Sequence, residues 1–351
     1  NADAQCNLGY CYIQGKGVKK NESEAVRWYT LSAKQGNANA QYNLGICYEN
    51  GRGVEKNESE AVRWYTLAAK QGDAYAQYNL GVCYNNGIGV AKNESEAVRL
   101  YTLSAKQGHA NAQYNLGVCY MNGRGVAKNE SEAVRWYTLA ANQGYAKAQH
   151  NLALCYMNGR GVAKNESEAV RWYTLSAKQG NANAQYNLGI CYENGRGVEK
   201  NESEAVRWYT LAAKQGDAYA QYNLGVCYNN GIGVAKNESE AVRWYTLSAK
   251  QGNANAQYNL GICYENGRGV EKNESEAVRW YTLAAKQGDA YAQYNLGVCY
   301  NNGIGVAKNE SEAVHWYTLS AKQGNVDAQY NLGVSYSKGT GVAKNESEAA
   351  R

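Results

Sequence analysis

Apolar residues return at helical spacing twice in every 36 residues, and short polar links separate the two stretches. Residues 73–108 show the pattern. From Asp73 to Asn85 a first helix is predicted, with Ala76, Leu80, Cys83 and Tyr84 on one face. Gly81 lies at the edge of that face, where a missing side chain admits a neighbouring group. Asn86-Gly87 should end the helix, since glycine accepts the left-handed closing conformation. The link runs from Gly87 to Lys92 with Val90 as its apolar anchor. Asn93 then opens a second helix as its cap, and Glu96 three residues on is expected to complete a capping box. Ala97, Tyr101, Ser104 and Ala105 form the second buried stripe, and Gly108 closes it.

The whole chain repeats this plan. Asn-Glu-Ser-Glu begins at Asn21, Asn57, Asn93 and every 36 residues thereafter to Asn345. Nine complete units occupy 1–324, and a shortened tenth occupies 325–351. Length alone would imply two or three globular domains, but a repeat array is one elongated unit at any length. A lone helix pair cannot bury both faces, whereas stacked copies can. The expected fold is therefore all-α, a single solenoid over residues 1–351. A longer period lies above the first. Ser32, Ala68, Ser104, Ala140 and their successors alternate, and residues 181–252 differ from 253–324 only at Arg243 against His315. The copied element is a 72-residue pair.

Composition removes several functions. Thirty-six basic and 31 acidic residues are interspersed and leave a net charge of +5, which gives no nucleic-acid footprint. No apolar run is long enough to span a bilayer. Thirty-two tyrosines and eight tryptophans replace phenylalanine entirely, so the core is built from rings with polar tips. Trp64 and its equivalents share one position, which Leu100 fills once; that exchange fits packing better than stacking on a ligand. Nine of the ten cysteines also share one position. A repeat with one thiol holds no internal partner, so these read as reduced, buried small side chains, and with no histidine in register a metal site is not expected. His109, His150 and His315 stand at unrelated repeat positions. Gly87-x-Gly89 lacks the lysine and serine of a phosphate loop and reads as a turn. The Asn-Glu-Ser sequons read as helix caps rather than glycosylation sites. Thiols argue for a reducing compartment, so the expected location is cytoplasmic. No cofactor is expected.

Residues 76–105 combine Ala-Gln-Tyr-Asn-Leu-Gly-Val-Cys-Tyr, Asn-Gly-Ile-Gly-Val and Glu-Ala-Val-Arg-Leu-Tyr-Thr-Leu-Ser-Ala. This resembles the Sel-one-like repeat (SLR) family, relatives of tetratricopeptide repeats, over the whole chain. The resemblance implies a right-handed α-α superhelix whose first helices line a concave side, and a role as adaptor or scaffold for protein complexes. Departures are the capping Asn93 where the family usually has aspartate, one cysteine per repeat rather than a disulfide-bonded pair, and Ala153 and His150 in place of the first-helix glycine and tyrosine. The fifth unit is therefore expected to pack with a slightly different curvature.

Stacking turns the outward positions of the first helix into ladders. Tyr75, Tyr78, Asn79, Asn115, Tyr186, Asn187, Tyr222, Asn223, Tyr258 and Asn259 are the candidate partner-binding residues, because asparagine can both donate to and accept from an extended peptide backbone. The alternative for the same residues is that they bridge neighbouring repeats. The leading function is thus a non-catalytic scaffold for protein or extended peptide. The competing one is a structural protein whose uncapped repeat ends stack head to tail into filaments.

Overall fold

The structure, a computed structural model, describes residues 1–350. Among the described residues lie twenty helices and no strand. Nineteen helices have 13 residues; the last, Glu346–Ala349, has four. Numbering repeats one to ten in chain order, each holds a first helix, such as Ala74–Asn86, and a second, such as Glu94–Lys106. The chain divides into two compact units, Asn1–Gln179 and Gly180–Arg351. Within each, helix pairs succeed one another as in an α-solenoid.

Local chemistry sets the helix ends. Asp73 is a cap rather than a helical residue, its carboxylate accepting from the Ala76 N–H at 2.7 Å. Gly87 closes that helix at φ 72° and donates to the Cys83 carbonyl at 2.8 Å. Asn93 caps the second helix, accepting from the Glu96 N–H at 3.0 Å. The reciprocal half of the expected capping box does not form. The Asn93 N–H instead donates to the Tyr84 carbonyl at 2.8 Å, so Glu96 is released to pair with Arg99.

The buried stripes are those the periodicity predicts. Ala76, Leu80, Cys83, Ala97, Tyr101 and Ala105 are buried, while Tyr84 and Val90 are half-buried at the edge of the same core. Each fully buried Leu contributes roughly 1.5–3 kcal/mol of transfer free energy. The first-helix glycine has a definite occupant: a Cβ on Gly81 would meet the Tyr101 ring at 2.7 Å, and one on Gly225 the Tyr245 ring at 2.6 Å. Ala153 takes this position in repeat five and is fully buried. Buried Trp64, Trp136, Trp172, Trp208, Trp244 and Trp280 sit at the packing position, with Leu100 equally buried among them.

Two kinds of tie alternate inside the repeats. Where the second helix carries serine, its hydroxyl donates to the carbonyl at the start of the first helix: Ser104 to Ala74 at 2.7 Å, Ser248 to Ala218 at 2.6 Å. This contact joins the end of the second helix to the start of the first, so the two helices run antiparallel. Where it carries alanine in repeats two, six and eight, a buried tyrosine donates to a first-helix glutamate instead: Tyr65 to Glu49, Tyr209 to Glu193, Tyr281 to Glu265, at 2.7–2.8 Å. The 72-residue period is therefore an alternation of hydrogen bonds.

Successive repeats share a third set. Buried Gln77 donates to the Ala69 carbonyl of the preceding repeat at 3.2 Å and accepts from Gln107 at 2.8 Å. The amide thereby satisfies a carbonyl in the last turn of the preceding second helix. Gly89 rests on the first turn of that same helix: a Cβ there would lie 2.3 Å from the Glu58 carbonyl oxygen.

Candidate functional site

The first-helix face is the candidate site, and its residues do not all stand free. Tyr75 is 59% exposed, its ring 5.9 Å from that of Tyr42; Tyr219 and Tyr291 repeat the arrangement in the second unit. Tyr78, Tyr186, Tyr222 and Tyr258 are half-buried, as are Asn79, Asn115, Asn187, Asn223 and Asn259.

The ladder is also a mesh between repeats. The Asn79 amide serves the hydroxyls of Tyr42 and Tyr65, one from each helix of the preceding repeat. Asn115 does the same for Tyr78 and Tyr101, and Asn223 for Tyr186 and Tyr209. Asn259 serves Tyr222, and Asn295 serves Tyr258. Burial holds the Tyr78, Tyr186, Tyr222 and Tyr258 hydroxyls above the usual tyrosine range, while the asparagine amide at each pulls the other way. Cys6 replaces the ladder tyrosine in repeat one, and the Asn43 amide serves its thiol in the same way. These asparagines thus lie against tyrosines of the preceding repeat, the arrangement that the bridging alternative describes.

Three features were not read from sequence. The glutamine chain is one; Gln77 lies three residues before Leu80, so its place on the buried face was legible from spacing. The second is the aromatic pair around His109, which caps the first helix of repeat four by accepting from the Ala112 N–H at 3.2 Å. Its ring centroid lies 4.8 Å from both Tyr75 and Tyr78. Burial lowers its pKa, against the opposing charge of Asp73. Tyr145 holds the corresponding place in repeat five with its ring 5.3 Å from Tyr114, and makes no capping bond.

The third is on the second-helix face. Arg63 stacks over Trp64 at 5.4 Å while one nitrogen reaches Glu60 at 3.2 Å. At Leu100 there is no ring to stack on, and Arg99 turns both oxygens of Glu96 into a fork at 2.6 and 2.9 Å.

The cysteines that share one repeat position are buried, except half-buried Cys11. Burial pushes Cys47, Cys119 and Cys155 up to about 11 and Cys83 to about 12, so they are not thiolates near neutral pH. Among the described residues no group of three or more His, Cys, Asp or Glu is placed to hold a metal ion, and no helix is long and apolar enough to cross a membrane.

Comparison with known proteins agrees with this geometry. The Sel1 repeat matches ten times, over residues 2–37, 38–73, 74–109, 110–145, 146–181, 182–217, 218–253, 254–289, 290–325 and 326–351. The chain belongs to the Sel1 repeat family. Among solved structures, a protective antigen of uropathogenic Escherichia coli strains with an SLR fold is 39% identical at a TM-score of 0.92, covering 100% of this chain and 75% of its own. A Sel1 repeat protein from Oxalobacter formigenes is 32% identical at a TM-score of 0.67, over 86% of this chain and 88% of its own. A search of curated proteins finds no match. The Sel1 repeat solenoid is typically a non-catalytic scaffold, commonly for protein interaction.

Proposed function

We propose that this Sel1 repeat protein is a non-catalytic scaffold that holds an extended protein segment along its first-helix face. The observation that carries the reading is the half-exposed row of Tyr–Asn pairs at 36-residue spacing. An asparagine that serves one or two tyrosines still has capacity for a peptide carbonyl or N–H. An extended segment presents such groups along its whole length, and its side chains would meet the exposed rings of Tyr75, Tyr219 and Tyr291.

The test is a selection of random twelve-residue peptides on the full chain, with dissociation constants for the selected peptides. The triple variant Asn79→Ala, Asn115→Ala, Asn223→Ala should weaken them at least tenfold. Equal binding would sink the proposal. Head-to-tail association of copies is the competing reading. Light scattering across protein concentration reads it directly, and a concentration-independent monomer removes it.

A further inference from the structure

Repeats four and five break the periodicity, and almost all of the break falls on one face. Against the pair 37–108, residues 109–180 change at His109, Met121, Tyr145, Lys147, His150, Ala153, Leu154, Met157 and Arg160 among others, nearly all on first helices and links. Their second helices change little: Asn142 stands for lysine, and Trp172 for Leu100.

The changes alter charge. The first helices and links of the pair 37–108 carry Glu49, Glu55 and Asp73; those of repeats four and five carry no acidic residue and add Lys147 and Arg160. They also alter shape. At the position where Glu49, Glu193 and Glu265 accept from a buried tyrosine, repeat four has Met121. A cavity of about 350 Å³ lies there, lined by Tyr114, Val118, Met121, Tyr137 and Leu154, with Asn151 and Asn158 amides and the Arg160 guanidinium at its polar wall; its counterpart in repeats nine and ten, about 380 Å³, has Asn301 and Val334 in place of Met121 and Leu154 and Thr340 in place of Arg160, so what sets the first apart is its lining and charge. That volume is at the small end of the ~300–1,000 Å³ range of ligand-holding clefts, which suits one apolar side chain with its flanking backbone. Arg160 is held there by Glu130 at 3.1 Å and by the Met121 sulfur at 3.2 Å, and its side chain stays 49% exposed.

We infer that repeats four and five form a localised docking site for a peptide segment whose apolar side chain is flanked by acidic residues. The apolar side chain enters the cavity, and the acidic neighbours face Arg160 and Lys147. This rests on the scaffold reading and narrows it from a uniform face to one address.

Fluorescence anisotropy with the full chain tests it. The probes are three fluorescein-labelled ten-residue peptides in a glycine–serine frame: a central leucine flanked by two glutamates, the same leucine flanked by two lysines, and a central serine flanked by two glutamates. The first should bind at least tenfold more tightly than the others. Met121→Glu and Arg160→Ile place residues the fold already holds at Glu49 and Ile88, so the helical circular dichroism should be unchanged while binding falls at least tenfold. Arg243→His, a residue the fold already holds on a second helix at His315, should leave this peptide's binding intact. Equal binding of the glutamate and lysine peptides, no binding of the first, or wild-type affinity in Met121→Glu would each overturn the inference. A loss in Asn223→Ala with none in Met121→Glu would overturn it while leaving the scaffold reading standing.

Discussion

Repeats four and five and repeats six to nine use the same helices, caps and second-helix core, yet they treat the first-helix face differently. In six to nine the face is a copied surface with a glutamate–tyrosine bond in alternate repeats. In four and five the glutamate is methionine, the glycine beside the buried tyrosine is Ala153 in one repeat, and two caps are aromatic. The contacts that stack one repeat on the next, by contrast, occur in both: Gln113 and Gln149 repeat the bond of Gln221 to a last-turn carbonyl. Stacking is therefore specified by one set of residues and surface chemistry by another, and the second set can drift without cost to the first.

The largest test of that separation is steric. Gly225→Ala drives a Cβ into the Tyr245 ring and should cost about 1–3 kcal/mol of stability in denaturant titration. Ala153→Gly, at the site already adjusted to a methyl group, should cost about 1 kcal/mol or less. Equal losses would show that repeat five has not adapted around Ala153. A smaller contrast lies in the hydroxyls. Tyr209→Phe removes the bond to Glu193 and should cost about 1 kcal/mol, whereas Tyr137→Phe, with Met121 opposite, should cost less than half as much.

Acid gives a third contrast. Burial lowers the pKa of His109 and His150 below the ordinary value of about 6.5, with Asp73 opposing the shift at His109 and the Asn151 hydrogen bond opposing it at His150. The folded chain then binds fewer protons than the unfolded chain as pH falls through about 6.5, so stability drops on acidification. Thermal unfolding at pH 7.5 and pH 5 should show the drop, and the double variant His109→Asn, His150→Tyr should reduce it. The smallest effect is at Leu100→Trp, which should change stability by no more than about 0.5 kcal/mol. There the check is structural: Arg99 should leave its fork on Glu96 for the new ring.

Much of the fold was legible because it is periodic. Leu80, Cys83, Tyr101 and Ala105 announce their burial by spacing, and Gly87 and Asn93 announce the helix ends. The capping box was over-read, because sequence does not show that the Asn93 N–H is already claimed by Tyr84. The Ser–Ala alternation was visible at Ser104 and Ala68, but its partner, the Tyr65–Glu49 bond, joins residues on different helices and had no local signal. The candidate ladder was found by the helical wheel, which gives direction but not occupancy. Only coordinates show that Asn79 is shared with Tyr42 and Tyr65. His109 carries no period in the sequence, and its meaning depends on the rings of Tyr75 and Tyr78 around it.

The link glycine has one more consequence. Gly89 seats against Glu58, and Gly125, Gly233, Gly269 and Gly305 seat in the same way on Glu94, Glu202, Glu238 and Glu274. The seat is indifferent to whether the repeat below is of the serine or the alanine kind, because both alternating ties close within a single repeat. A recombination slip of 36 residues would therefore join surfaces that already fit, as would a slip of 72. Array length becomes a quantity that a population can vary in whole steps, while the geometry of every junction stays the same.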